Sequence, residues 1–236
     1  MPLSSSSRVV VIGGTSGIGL AVAQAAAATG AQVIVGSRAE ESVKRALGAL
    51  PAHASGAPVD VTSSASLAAF FAGVGAFDHL VYTAGDALAR GLIADYDPAV
   101  ARDFFDVRLF RALDAVRLAL PTLSGTGSVT LTAGAAAFHG GAGRLLGSTV
   151  GGAVITAARS LAAELAPVRV NVVAPGIVRT PLWSDTPPEF LDRAGGATLL
   201  GRVAEPDDVA KAYVALLDQD YITGNVTLVD GGSVLV

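Results

Sequence analysis

The clearest chemical pattern in the sequence is the glycine-rich segment GGTSGIG, which runs from Gly13 to Gly19. It directly follows a short β-branched run, RVVVI at 8–12, and it opens an alanine-rich stretch with helical spacing at 20–29. Glycines between a strand and a helix allow a phosphate group to approach the backbone, and the N–H groups at the helix start favour its negative charge. The segment therefore predicts a site for the pyrophosphate of a dinucleotide.

The end of the next predicted strand indicates which dinucleotide is bound. That strand, QVIV at 32–35, is followed by Gly36, Ser37 and Arg38, with no acidic side chain at its tip. Proteins that bind NAD usually place an acidic residue there for the ribose hydroxyls, whereas an arginine can pair with the 2′-phosphate of NADP. We therefore predict NADP(H) in preference to NAD(H). The alternative is that Arg38 is only a solvated residue at the start of a helix.

Strand and helix patterns alternate along the chain, and the strands are apolar at nearly every position, which predicts a parallel sheet covered by helices on both faces. The expected fold is α/β, a doubly wound parallel sheet in three α/β/α layers, formed by a single domain of residues 1–236. The predicted strands are 8–12, 32–35, 57–61, 79–83, 128–132, 168–174 and 225–229, and the main predicted helices are 20–29, 40–50, 67–74, 98–120, a glycine-rich helix ending at 165, and 206–217. The polar segment 180–202 is the expected lid, because ligands in such folds bind beyond the carboxyl ends of the strands.

The composition argues against several classes of function. A net charge of −4 without a basic stripe argues against a nucleic-acid partner, and the absence of cysteine removes disulfides and thiol nucleophiles. Histidines and acidic residues form no metal-ligand pattern, so we expect no metal. The N-terminal residues lack the pattern of a secretory signal, and we expect each apolar stretch to be interrupted before membrane-spanning length. These features predict a cytoplasmic protein without a membrane partner.

Several motifs in a fixed order resemble the short-chain dehydrogenase/reductase family over essentially the whole chain. The matching segments are GGTSGIG at 13–19, DVT at 60–62, GSVTLTAG at 127–134, VRVNVVAPGIVRTP at 168–181 and LVDGG at 228–232. Three departures accompany them: Ile12 stands where threonine is usual, YTAG at 82–85 replaces the usual N-N-A-G, and the strand ending at 132 lacks its double serine. The resemblance implies a Rossmann fold and a nicotinamide cofactor.

The same resemblance assigns residues to the cofactor site. It implies that Asp60 contacts the adenine and that Ile177 and Thr180 reach the nicotinamide amide. The full set of expected cofactor-binding residues is Gly13, Thr15, Ser16, Gly17, Ile18, Gly19, Ser37, Arg38, Asp60, Val61, Ala84, Gly85, Pro175, Gly176, Ile177 and Thr180.

The catalytic residues of the family are expected to be missing. In the family, the glycine-rich helix carries Y-x-x-x-K, in which the tyrosine moves a proton and the lysine lowers its pKa. The family moves this proton through a relay of four residues: a tyrosine, a lysine, a serine and an asparagine. Alignment of this chain with the family pattern places Gly147 at the tyrosine, Gly151 at the lysine, Gly134 at the serine and Arg108 at the asparagine. No shift of alignment restores these residues, because the chain has only two lysines, Lys44 and Lys211, both distant in sequence.

Three consequences of this loss are open at the level of sequence. Solvent or a ligand could fill the space beside the nicotinamide, Arg108 could supply the missing positive charge, or the backbone could close onto the glycines. Arg108 is permanently charged, so it could stabilise an oxyanion but could hardly donate a proton. His139, on the loop before the helix with Arg144, is the candidate general acid. The alternative for His139 is an ordinary surface histidine.

Three functional hypotheses follow from a preserved cofactor site beside a missing relay. The first is an NADP(H)-dependent oxidoreductase that acts on a small carbonyl or alcohol through a non-standard proton donor. The second is a catalytically inactive NADP(H)-binding sensor or partner protein, and the third is a non-redox enzyme. The family resemblance also implies a homodimer or homotetramer, built through the helices at 98–120 and 152–165 and the C-terminal strand.

Overall fold

The computed structural model describes residues 3–85 and 88–236 and contains a seven-stranded sheet in which neighbouring strands are parallel. The strands are β1 (Arg8–Ile12), β2 (Gln32–Ser37), β3 (Ser55–Pro58), β4 (Phe77–Tyr82), β5 (Leu123–Thr132), β6 (Arg169–Pro175) and β7 (Val226–Val229). Their order across the sheet is β3-β2-β1-β4-β5-β6-β7, so the direction of winding reverses between β1 and β4. This arrangement confirms the doubly wound α/β fold and opens a crevice at the carboxyl ends of the central strands.

Helices connect the strands, and their ends follow local sequence signals. They are α1 (Gly17–Ala28), α2 (Glu40–Leu47), α3 (Ser64–Val74), α4 (Pro98–Phe105), α5 (Arg111–Ala119), α6 (Leu145–Glu164), α7 (Pro188–Gly196) and α8 (Pro206–Asp218). Asp97 begins α4 by accepting a hydrogen bond from Ala99 N at 2.7 Å, and Ser63 accepts one from Ser66 N at the start of α3. Gly30, at φ +93°, follows α1 in the left-handed conformation that ends many helices.

The sheet separates two hydrophobic layers, which together with it make the three-layer architecture. Val10 and Ile12 of β1 face a layer that includes α3, α5 and α6, whereas Val9 and Val11 face a layer that includes α1, α2 and α8. Alternate residues of one strand thus lie in opposite layers, as the pleat of a strand requires. The strands are apolar throughout because both of their faces are buried.

One departure from the predicted elements is the long helix expected at 98–120. It is divided into α4 and α5 by a π-helical segment, Asp106–Phe110, in which Arg111 N bonds to Asp106 O. Segments of this kind hold one extra residue per turn and are frequent at functional sites. A second departure is β3, which ends at Pro58 rather than continuing to 61.

Helix α6 spans 20 residues, and Gly147, Gly151 and Gly152 lie in its first half, as the sequence predicts. By length and composition alone this helix could cross a membrane, but core helices of other proteins share the same length and composition. Its buried side chains, among them Val154, Ile155 and Ala158, belong to the layer shared with α3 and α5. The helix therefore packs as a core helix against the sheet.

A buried histidine lies in the sheet far from any predicted site. His79 of β4 is only 2% exposed, and its Nδ1 lies 2.9 Å from the Oγ of Ser128 on the neighbouring strand β5. Burial lowers the pKa of this imidazole from 6.5 to about 4, because the charged form loses its hydration inside the protein. The folded chain therefore holds His79 neutral under conditions in which the unfolded chain would protonate it.

We predict that the free energy of unfolding falls as the pH is lowered from about 6.5 to about 4. Over this pH range the unfolded state binds a proton that the folded state does not bind. The free energy of unfolding therefore falls by about 1.4 kcal/mol per pH unit, and by on the order of 3 kcal/mol in all. Denaturant unfolding at several pH values measures the slope. In His79→Gln the slope should flatten, whereas His53→Gln, a change at an exposed histidine, should keep it. An unchanged slope in His79→Gln would show that other groups cause the acid instability.

Candidate functional site

A cavity of about 1430 Å³ opens beyond the carboxyl ends of the strands. Every expected cofactor residue lines it, and so do Arg108, Gly134, His139, Gly147 and Gly151. The fold therefore brings together residues that are up to 167 positions apart between Gly13 and Thr180 in the sequence. Within residues 3–85 and 88–236, no group of three or more histidine or acidic side chains could hold a metal ion.

The glycine turn after β1 lies directly against the loop that follows β4. Gly13 has φ +84° and Gly17 has φ +50°, a backbone conformation that other residues rarely adopt. A Cβ on Gly13 would stand 2.7 Å from Ala84 N, and one on Gly19 would overlap the carbonyl oxygen of Gly13. Ser16 precedes α1 without capping it through its side chain, so that side chain leaves the first N–H groups of the helix to other acceptors. The turn has the form of an anion-binding cradle.

Opposite charges lie at the end of the cavity near β2 and β3. The pKa of Asp60 is lowered because Thr62 donates to its Oδ1 from the hydroxyl at 2.7 Å and from the backbone at 3.0 Å, with further lowering by the charges of Arg38 and Arg111. Arg38 is exposed directly beyond the tip of β2. This end of the cavity therefore offers one fixed carboxylate and one accessible guanidinium to a ligand.

The tyrosines nearest the centre of the sheet are engaged in structural hydrogen bonds. Tyr82 is the tyrosine that lines the cavity, and its buried hydroxyl donates to Val107 O at 2.8 Å. Thr132 donates to Tyr82 O at 2.6 Å, which leaves its oxygen to accept from the Tyr213 hydroxyl, also at 2.6 Å. Burial raises the pKa of Tyr213 far above its usual value. Neither tyrosine hydroxyl is oriented into the cavity as a proton donor, and neither Lys44 nor Lys211 lines it.

Arg108 projects from the π-helical segment into the cavity. Its Cζ lies 4.0 Å from the centre of the Phe104 ring, and its Nη2 lies 3.4 Å from the point where a Cβ on Gly85 would stand. The ring holds the guanidinium through a cation–π contact, while the missing side chain of Gly85 makes room for it. The sequence pointed to Arg108 by alignment, but the helical distortion that presents it has no comparable sequence signal.

The glycines of α6 differ in their surroundings: the helix is packed tightly at Gly151, whereas Gly147 faces open space. A Cβ on Gly151 would stand 3.1 Å from Ala137 Cβ and 3.6 Å from Gly134 O, so the helix there is packed tightly on the 3₁₀ turn Ala135–Ala137. A Cβ on Gly147 would have Ala136 Cβ, at 4.0 Å, as its nearest neighbour. The backbone has therefore closed at Gly151, and the space at Gly147 is continuous with the cavity.

The lid predicted at 180–202 contains the 3₁₀ turn Pro181–Trp183 and the helix α7, and its two ends meet at its base. Arg179 N donates to Ala204 O at 2.8 Å, and Ala204 N donates to Ile177 O at 3.3 Å. His139 and Arg144 lie across the cavity rim on the loop before α6, both exposed.

An arginine that the sequence analysis missed connects the lid to the loop after β4. The Cζ of Arg90 lies 4.9 Å from the ring centres of both Trp183 and Phe190, whose own ring centres are 5.0 Å apart. Burial, followed by the positive charge of Arg144, lowers the pKa of Arg90. The one sequence signal available was the chain's single tryptophan, which falls within the predicted lid.

We predict that Gly147→Ala stabilises the protein by up to about 1 kcal/mol, because alanine favours the helix and its methyl group enters open space. Gly152→Ala, whose Cβ would also have no neighbour within 4 Å, should behave in the same way. Gly151→Ala should gain less or lose stability, since Ala137 would have to move. Denaturant unfolding of the three variants measures these differences. Equal stabilisation by Gly151→Ala would contradict the tight packing described for that position.

The chain matches a known family model over most of its length. The model is described as enoyl-(acyl carrier protein) reductase, and it matches residues 13–234. The short-chain dehydrogenase/reductase ATR9 of Stachybotrys chlorohalonatus is 33% identical over 254 aligned positions, which cover 100% of both chains. The cis-4-hydroxycyclohexanecarboxylate dehydrogenase of Sinomonas cyclohexanicum is 33% identical over 237 positions, with 94% of each chain covered.

Solved structures are similar to the chain over its full fold. The MalC reductase/Diels–Alderase of Malbranchea aurantiaca has a TM-score of 0.90 at 30% identity and covers 99% of this chain and 98% of its own. A small-chain dehydrogenase in complex with NADPH has a TM-score of 0.85 at 29% identity, with coverage of 98% and 99%. Together with the motifs and the site geometry, these matches show that the chain belongs to the short-chain dehydrogenase/reductase family of oxidoreductases.

Proposed function

We propose that the protein is an NADP(H)-dependent oxidoreductase that acts on a small carbonyl compound or alcohol through a non-standard proton donor. The observation that carries the proposal is the continuity of the cavity, which joins the glycine turn and Arg38 at one end to Arg108 and His139 at the other. Its volume of about 1430 Å³ exceeds the roughly 300–1,000 Å³ that one small ligand needs. The cavity can therefore hold a dinucleotide and a second molecule together.

The residues at the first end fit the dinucleotide. The glycine turn offers a cradle that side chains would fill, and the start of α1 offers N–H groups for the pyrophosphate. Arg38 would pair with a 2′-phosphate, and Ile177 and Thr180 would contact the nicotinamide amide. When bound, NADP(H) supplies or accepts a hydride, so the protein's own residues must manage the accompanying charge and proton.

At the second end, we propose that the relay of the family is replaced rather than rearranged. Arg108, Gly134, Gly147 and Gly151 stand where the relay residues are expected and share one cavity. Arg108 would stabilise negative charge on the substrate oxygen, because its guanidinium is held by Phe104 and keeps its charge at all working pH values. His139 on the rim would donate the proton, because imidazole is the side chain that most often acts as a general acid.

The second candidate is a catalytically inactive NADP(H)-binding sensor or partner protein. It is favoured by the space at Gly147, which opens into the cavity where the family places its proton donor. A non-redox enzyme is the third candidate, and the similarity to a protein described as a reductase/Diels–Alderase supports it. The three candidates predict different results with NADPH. Oxidation of NADPH in the presence of a carbonyl compound supports the oxidoreductase, and binding of NADPH without turnover supports the sensor or partner protein. Conversion of a substrate that requires the cofactor but leaves its redox state unchanged supports the non-redox enzyme.

We also propose a homodimer or homotetramer. Apolar side chains are exposed along the helices expected at the interface, including Phe110 at the end of the π-helical segment, Leu120 after α5 and Leu145 at the start of α6. Burying them against a second copy would remove apolar surface from water.

The preference for NADP(H) is tested by Arg38→Asp. Removal of the cation and introduction of an acid should weaken NADPH binding by about ten- to hundredfold while leaving NADH binding equal or tighter, because charge-assisted hydrogen bonds to the 2′-phosphate are lost. Fluorescence titration with NADPH and NADH measures both affinities. Arg45→Asp on α2, which makes the same charge change outside the cavity, is the matched control. Equal loss in both variants, or none in either, would contradict the role of Arg38.

The catalytic roles are tested by single variants on any carbonyl compound that the protein reduces with NADPH. Arg108→Gln should lower kcat by about 10²–10³-fold if the guanidinium stabilises the developing oxyanion. His139→Gln should lower it by about 10²–10⁴-fold if the imidazole donates the proton. His53→Gln, at an exposed histidine outside the cavity, should leave kcat unchanged. A variant with the parent kcat and unaltered NADPH binding has no part in the reaction.

A further inference from the structure

Positive charge accumulates in the half of the cavity away from the adenine end. Among residues 3–85 and 88–236, the charged side chains that line it beyond Arg38 and Asp60 are Arg90, Arg108, Arg144, Arg193 and Asp185. Four arginines thus face one aspartate, although the chain as a whole carries a net charge of −4. A concave surface lined by one sign of charge attracts ligands of the opposite sign.

Three of these arginines, Arg90, Arg144 and Arg193, have no counter-ion among the residues that the structure describes. Arg90 and Arg144 form no ion pair within 4.0 Å and no side-chain hydrogen bond there, although Arg144 is close enough to lower the pKa of Arg90. Elsewhere in the chain, arginines do find carboxylates: Arg111 lies 2.8 Å from Asp106, Arg179 3.1 Å from Glu205 and Arg202 2.6 Å from Asp208. The last two pairs flank the lid itself. Like charges that face one another across a cavity rim are stabilised when an anion binds between them.

Arg90 is held in an orientation suited to such an anion. The Cζ of Arg90 lies 4.9 Å from the ring centres of both Trp183 and Phe190, and because these centres are only 5.0 Å apart, both rings lie on the same side of it. The cation–π contact leaves the other side of the guanidinium clear of the rings, where its N–H groups can donate hydrogen bonds to a carboxylate. Because the rings already restrict the side chain, little further conformational entropy is lost on binding.

We propose that Arg90 and Arg144 together bind a carboxylate of the substrate, so that the carbonyl compound or alcohol is an oxo or hydroxy acid. This inference rests on the proposed function and names the substrate class for the same cavity. Arg90 reaches the carboxylate from the lid side and Arg144 from the loop before α6. The reacting carbon then faces Arg108 and the open space at Gly147.

The proposal is tested by calorimetric titration of the NADP⁺-saturated protein with 4-oxocyclohexanecarboxylate and with its methyl ester. The two probes share the ring and the ketone and differ in charge, and the oxidised cofactor prevents turnover. We expect the carboxylate to bind at least about tenfold more tightly than the ester, which corresponds to one charge-assisted interaction. Carboxylate binding should also change the fluorescence of Trp183, the chain's only tryptophan, because it lies against Arg90.

Single variants test whether Arg90 and Arg144 cause the preference for the carboxylate over the ester. Arg90→Gln and Arg144→Gln should each weaken carboxylate binding by about tenfold and leave ester binding unchanged, and Arg90→Lys should keep part of the preference because it keeps the charge. Arg159→Gln, at an exposed arginine of α6 outside the cavity, is the matched control and should change neither. Retention of NADP⁺ binding shows that each variant is folded.

Three outcomes would overturn the proposal. The first is equal binding of acid and ester, and the second is no carboxylate binding to the parent protein. The third is a loss of NADP⁺ affinity in Arg90→Gln and Arg144→Gln that matches the loss for the carboxylate, since the arginines would then serve the dinucleotide. If the parent protein binds no NADP⁺ at all, the proposed function fails, and the same acid and ester titrations without cofactor still test the arginine pair separately.

Discussion

The backbone of the glycine turn lies directly against the loop after β4. Gly13 approaches Ala84 N closely, and Thr83 donates hydrogen bonds to Ile12 O from both its backbone and its hydroxyl. This contact fixes the start of α1 at the point where the sheet reverses its winding. The lid also begins there, because Thr180 lies 3.2 Å from the point where a Cβ on Gly17 would stand. A larger residue in the turn would thus displace the first helix, the central crevice and the root of the lid together.

The features that the sequence predicted are those encoded in short stretches. Runs of β-branched residues, the glycine turn and the P-G segment at 175–176 each carry a local signal, and the parallel sheet follows from the alternation of strands with helices. The features it could not predict depend on contacts between distant segments. Arg90 meets Trp183 and Phe190 only in the folded chain, and the close packing of α6 on Ala137 depends on how two elements dock. The π-helical segment is a third example, because its sequence, DVRLF, is compatible with an ordinary helix.

The two ends of the cavity differ in how their charges are satisfied. At the end near β2 and β3, Asp60 is held by two hydrogen bonds from Thr62, so the position of this carboxylate is fixed by the protein itself. At the lid end, Arg90 lies over two aromatic rings and has no carboxylate partner among the described residues, which leaves its charge available. The glycines of α6 differ in their surroundings, and the helix is packed tightly at Gly151. The cavity therefore has a carboxylate fixed by hydrogen bonds at one end and unpaired positive charge at Arg90 at the other.

The hydrogen bonds that join the base of the lid have a consequence for how the protein can diverge. Because Ile177 and Arg179 are hydrogen-bonded to Ala204, an isolated parallel bridge outside the seven strands, rather than the intervening segment itself, holds the two ends of that segment together. The segment 180–202 can then be replaced by one of different length or composition while the strands and the glycine turn keep their geometry. In natural variants and in laboratory chimeras, the segment can therefore be replaced at this base. Such a replacement would change the residues that contact the substrate and would leave the rest of the fold as it is.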